Sequence, residues 1–146
     1  MPSRGEIVTE ARSWMGTKFH HQASLKGVGC DCIGLVRGVA RGVGFRDPFT
    51  TGEAIQFAGY GRTPEPKRLL EACERFLQRI AIDAAIAGDI LLLRFEREPQ
   101  HFALLTSRHP DQMIHSHASV GRVTESGIDA KWWRRVLRAY RFQELA

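Results

Sequence analysis

The sequence predicts an α+β fold, with helices first and an antiparallel sheet after them. Three observations carry this. Helical apolar periodicity with capping signals fills the N-terminal half. Short apolar runs separated by turn residues fill the C-terminal half. The two kinds of segment do not alternate, as a parallel α/β sheet would need. At 146 residues the chain is one domain's worth, long enough to bury a core.

Ile7, Ala11, Trp14 and Met15 recur at helical spacing, and Ser3 with Glu6 has the form of a capping box. The first helix is therefore expected from Ser3 to Met15, ended by Gly16. Residues 17–31 read as a loop rich in Gly, His and Lys. A second helix is expected from Cys32 to Val43, with Asp31 as its N-cap and Gly44 as its stop. Residues 45–63 read as loop. A third helix is expected from Pro64 to Ile80, its apolar stripe made by Leu69, Leu70, Cys73, Phe76, Leu77 and Ile80. Gly88-Asp89 marks a turn into the strand region. Strands are expected at Ile90–Phe95, His101–Thr106, Gln112–His117, Val120–Thr124 and Val136–Phe142, with a short helical turn at Lys131–Arg134. The loop before His101 holds Pro99.

Composition excludes several classes. A hydrophobic fraction of 43% with 25% charged residues is ordinary for a globular protein and argues against disorder. The net charge of +5 favours anionic partners. Its cations are scattered, except that Lys131 to Arg141 holds five and no acid, which reads as a solvated basic face. Trp132-Trp133 followed by Arg134-Arg135 invites a nucleic-acid reading, but no recognised binding motif accompanies it. The two aromatics read better as closing a core or lining a groove, and nucleic acid is not an expected partner. Three cysteines do not make a disulfide framework. Residues 1–16 have no continuous apolar run, so no signal peptide is expected, and no stretch approaches the ~18 apolar residues of a membrane span.

The chemistry concentrates in Gly29-Cys30-Asp31-Cys32-Ile33-Gly34-Leu35-Val36. Cys32 falls at the first position of a helix, where unpaired N–H groups and the helix dipole favour an anion. A cysteine pKa of about 8.5 can fall to roughly 3.5–7.5 there. The same N–H groups can receive an oxyanion. Gly34 allows close packing or leaves room for substrate. A thiolate nucleophile needs a proton-transfer partner, and His101 opens a strand that would hold an imidazole rigidly. His115, on the next strand, is the candidate to orient it, and His117 shares its face. Cys73 lies on the apolar stripe of the third helix and reads as core.

The runs Trp14-Met15-Gly16-Thr17, Gly29 to Val36, Ala87-Gly88-Asp89-Ile90-Leu91, His101-Phe102-Ala103 and Met113-Ile114-His115 resemble, in order and spacing, the NlpC-type cell-wall peptidases. The form here is similar to the short one encoded by tailed phages and gene transfer agents. The resemblance implies a papain-like α+β fold in one domain spanning residues 1–146. It implies Cys32 as nucleophile, His101 as base and His115 as the orienting residue, with no metal or organic cofactor. The implied reaction is amide hydrolysis in peptidoglycan stem peptides, typically between D-γ-glutamate and diaminopimelate. The expected setting is a protein made in the bacterial cytoplasm, carried in a virion-like tail and acting in the cell envelope. The implied partners are tail hub or baseplate proteins.

Three departures stand out. Ile33 replaces the Ser that commonly follows the nucleophile, an exchange that bears on packing or substrate contact. Phe19 stands where a Tyr often lies near the oxyanion, so one donor is either absent or supplied by His20 or His21. Asp31 joins Phe19 and His20 as a candidate substrate or oxyanion residue. Cys30 is an additional thiol, readable as a resolving partner that protects Cys32 from overoxidation. Two rival readings stay open: a structural tail protein with a vestigial site, and a zinc-binding adaptor using Cys30, Cys32, His20 and His21. The Cys-x-Cys spacing is tighter than usual zinc pairs.

Overall fold

The computed structural model describes residues 2–49, 66–95 and 98–145. The α+β architecture is as expected. Helix α1 spans Arg4–Arg12, closed at its start by the Ser3–Glu6 capping box. It ends one turn earlier than the periodicity suggested. Ser13 caps it, Trp14 and Met15 continue in tighter turns, and Gly16 reverses the chain at a φ of 86°. Trp14 is buried, whereas Met15 is half exposed and does not belong to the apolar stripe.

The loop of residues 17–31 is more ordered than the sequence indicated. It contains a small antiparallel ladder, β1 (Ser24–Leu25) with β2 (Gly29–Cys30). Helix α2 follows at Cys32–Gly42, capped by Asp31, whose carboxylate accepts from the Gly34 N–H at 2.7 Å. Gly34 is required by contact: a Cβ there would stand 1.8 Å from the Ala23 carbonyl oxygen. The helix start is thus pressed onto the loop backbone with no room for a side chain.

Helix α3 runs Pro66–Phe76, and the expected start at Pro64 lies outside the described residues, as does most of the 45–63 loop. The helix does not continue to Ile80. Gln78–Ile80 form strand β3 instead, paired with Arg141, Tyr140 and Ala139. Helical spacing of Ile80 was coincidental, because pairing with the last strand outweighs local propensity. A short 3-10 turn at Ile82–Ala84 follows.

Strands β4 (Ile90–Phe95), β5 (Glu98–Ser107), β6 (Gln112–His117), β7 (Arg122–Gly127) and β8 (Val136–Arg141) complete an antiparallel sheet in the order β3-β8-β4-β5-β6-β7. β5 starts before His101 and includes Pro99, which faces Arg94 beyond a register shift in β4. β7 starts after Val120, which is exposed in the preceding turn. A single turn of helix, α4, occupies Ala130–Trp133.

The sheet buries both faces. On one, Phe102, Leu104 and Ile114 join Ile7, Ile33, Leu35, Leu69 and Cys73 from the helices in the main core. Cys73 is core, as its place on the stripe suggested. On the other face Ala103, Leu105, Met113 and Ala139 pack with Ala85 and Ile128, against the half-buried Trp132 and Trp133. Asp89, fully buried in the turn before β4, accepts from Arg4 of α1 and from two nitrogens of Arg141 of β8 at 3.0 Å each. This ion cluster ties the first helix and last strand to the central strand.

Candidate active site

The site forms where strands and helix start converge. The ladder between β5 and β6 runs from Ser107/Gln112 to Leu104/Ile114. His101 and His115 lie beyond that end. By strand alternation they share the face of Ala103, Leu105 and Met113. Cys32 heads α2 and packs in the main core with Phe102, one residue from His101, where the backbone amides near its sulfur favour the thiolate.

His101 Nε2 and His115 Nδ1 are 2.8 Å apart, both rings buried. One nitrogen donates and the other accepts. The bond engages Nε2 of His101. His117 completes a cluster, with its ring centroid 5.2 Å from His101 and 6.0 Å from His115. His115 makes a direct ring bond to His101, and His117 Nδ1 pairs with the Ser119 hydroxyl. Trp132 lies against His115, centroids 5.6 Å apart and rings nearly perpendicular.

Electrostatics corrects one expectation. The Cys32 thiol is not lowered; burial first and the neighbouring Asp31 carboxylate second push it up to about 12, against the opposing effect of nearby backbone amides. The amides act in the expected direction, but desolvation of a buried thiolate outweighs them. Burial, followed by the charges of His115 and His117, also drives His101 well below its ordinary value. His115 falls to about 4 through burial and then His117. At rest the thiol and the imidazoles are therefore neutral.

The other candidates lie in the loop before α2, where Phe19 bridges Cys30 and the His20 N–H donates to the Cys30 carbonyl. Asp31 is buried, and its carboxylate serves the N–H groups of Gly34 and Gln22 at 2.7 and 2.9 Å. Phe19 is half-buried, its N–H donating to the Gly121 carbonyl at 2.8 Å. His20 is exposed, with Nδ1 turned to the His21 carbonyl. Ile33 packs in the main core. Cys30 is fully buried in β2, its thiol pushed up to about 11 by burial although the Ser116 hydroxyl opposes this. A thiol held protonated is a slow resolving partner. Among the described residues no group of three His, Cys, Asp or Glu is arranged to hold a metal ion. Residues that sequence reasoning did not bring to the site are Phe102, which packs in the core with Cys32, and Trp132, read only as closing a core or lining a groove.

The family model of the NlpC/P60 family matches residues 14–141. The chain belongs to the NlpC/P60 family. Solved structures agree on the fold of this NlpC/P60 chain. The NlpC/p60 domain of the peptidoglycan hydrolase SagA is 22% identical with a TM-score of 0.65, covering 97% of this chain and 100% of its own. An NlpC/P60 protein of Bacillus cereus is 14% identical with a TM-score of 0.68, and the alignment covers 97% of this chain but 40% of that one. The peptidoglycan hydrolase RipB of Mycobacterium tuberculosis is 22% identical with a TM-score of 0.59, covering 94% of this chain and 63% of its own. These likenesses establish the papain-like α+β fold. A comparison with curated proteins gives no match. Among the described residues no helix is long and apolar enough to cross a membrane.

Proposed function

We propose that this protein is a cysteine peptidase that hydrolyses amide bonds in peptidoglycan stem peptides. The observation that carries the reading is the 2.8 Å His101–His115 pair, with Cys32 at a helix start packed in the same core as Phe102, the residue next to His101. Cys32 attacks the scissile carbonyl as His101 takes the thiol proton, so a preformed ion pair is not needed. His115 orients His101 and shares the charge that develops on it. The Cys32 N–H and a group of the preceding loop receive the oxyanion. The proton passes to the leaving amine, a thioester remains on Cys32, and water releases it.

The substrate class is supported by family membership and by SagA and RipB, both described as peptidoglycan hydrolases. The D-γ-glutamyl-diaminopimelate bond and service in a phage-like tail rest on the sequence resemblance. Purified peptidoglycan digested by the wild type and by Cys32→Ala, under reducing conditions with mass analysis, tests the proposal. The wild type should release stem-peptide fragments and the variant none. No wild-type-dependent fragments would sink the peptidase reading, and an equally active Cys32→Ala would remove Cys32 as nucleophile.

A further inference from the structure

The segment from Asp129 to Arg135 has no role in the hydrolysis just described, yet it reaches the histidines. Asp129 caps α4 through the Trp132 N–H at 2.9 Å. The two tryptophans then diverge. Trp133 is an anchor: its Nε1 donates to Asp111 at 2.9 Å, and the Arg108 guanidinium lies 4.9 Å from its ring centroid. Trp132 turns to the site and packs on His115. The Arg135 guanidinium lies over Trp132, 5.0 Å from the centroid. The Arg135 carbonyl accepts the Arg94 N–H at 2.8 Å, which fixes its backbone to β4. A continuous chain of contacts, edge-to-face between the rings, therefore runs from Arg135 through Trp132 and His115 to His101.

A guanidinium held over an indole is limited in its rotamers by the ring, and its planar fork of N–H donors suits a carboxylate. Its charge reaches the cluster: after burial, Arg135 is the second cause that lowers His117. The histidine side of the site thus carries a cation. Stem peptides are anionic, because a γ-linked glutamate keeps its α-carboxylate close to the bond it makes, and diaminopimelate adds more.

Resting on the hydrolase reading above, we propose that Arg135, seated on Trp132, binds a carboxylate of the stem peptide and makes the enzyme selective for the acid over its amide. A bound carboxylate also offsets the positive charge that Arg135 holds against an imidazolium at the histidines. This gives the Trp132–Arg135 stack a task in substrate choice rather than in bond breaking.

The test compares kcat/KM on three synthetic stem peptides: the free acid, the form amidated at the glutamyl α-carboxylate, and the form amidated at diaminopimelate. The enzymes are the wild type, Arg135→Lys and Arg135→Met, each checked by thermal unfolding. A charge-assisted hydrogen-bond pair corresponds to about 10- to 100-fold in selectivity. The wild type should prefer the free acid by that factor over one amidated form, and which form suffers names the carboxylate. Arg135→Met should bring the ratio towards one, mainly through KM, and Arg135→Lys should keep part of it. Equal wild-type rates on all three peptides overturn the inference whether or not the variants fold. A wild-type ratio retained in folded, active Arg135→Met overturns it while leaving the hydrolase reading intact. A wild type that releases nothing from peptidoglycan overturns both.

Discussion

Acidification should destabilise this protein through its buried histidines, and His115 supplies the magnitude. Its imidazole is neutral in the folded state, with a pKa lowered from 6.5 to about 4. In the unfolded chain the same ring titrates near 6.5. Above that pH both states are neutral and the ring contributes its full share of stability. As pH falls below 6.5 the unfolded chain binds the proton first, so stability drops at up to about 1.4 kcal/mol per pH unit until the folded ring also protonates. Over the window from 6.5 to about 4 the loss is about 3 kcal/mol for His115. His101, driven lower still, extends the loss in the same direction, and the hydrogen-bonded pair titrates as a unit. The assay is denaturant unfolding at steps from pH 7.5 to 4 for the wild type and His115→Gln. Carboxylates titrate in both proteins, so the difference between the curves isolates the imidazole. The wild type should lose more stability than the variant across the window. Parallel curves, or a histidine NMR titration placing His115 near 6.5 in the folded protein, would refute the reasoning.

Three further outcomes are expected. Iodoacetamide should label Cys32 at pH 7 at least ~10-fold more slowly than a free cysteine, with the rate still rising above pH 9, since a thiol pushed up to about 12 carries little thiolate; a plateau below pH 7, read by mass spectrometry, would contradict the neutral resting site. Gly34→Ala should cost about 3 kcal/mol and most of the hydrolytic activity, because its Cβ would meet the Ala23 carbonyl oxygen at 1.8 Å and the helix carrying Cys32 must shift; unchanged unfolding and turnover would show that the loop yields freely. Asp89→Asn should cost about 3 kcal/mol by leaving Arg4 and Arg141 without their buried counter-charge, while Asp83→Asn, an exposed comparison, should be neutral; equal midpoints in urea for the two variants would refute the structural role of the Asp89 cluster.

Much of the candidate site is legible in the residues because local rules govern it. Ser3 with Glu6 and Asp31 cap the helices they were expected to cap. Gln112–His117 is a strand of the expected length, and its period of two puts His115 and His117 on one face. Other errors came from boundaries and from pairing at a distance. Ile80 fits a helical stripe, yet it lies in β3 because β8 offers an unpaired edge. Met15 fits the stripe of α1, yet the helix has already turned at Ser13.

What the sequence determined by itself is chemical identity and local form: a thiol at a capped helix start, imidazoles on neighbouring strands, helices before sheet. What the tertiary structure decided is the environment of those groups. That the thiol is neutral at rest follows from burial beneath the sheet, which no spacing of residues encodes. That Trp132 lies on His115, and Arg135 on Trp132, follows from α4 folding back over the second face of the sheet. Capping, periodicity and nucleophile chemistry act over a few bonds and can be read along the chain. Desolvation and stacking depend on what the distant chain brings alongside, and they exist only once it has folded.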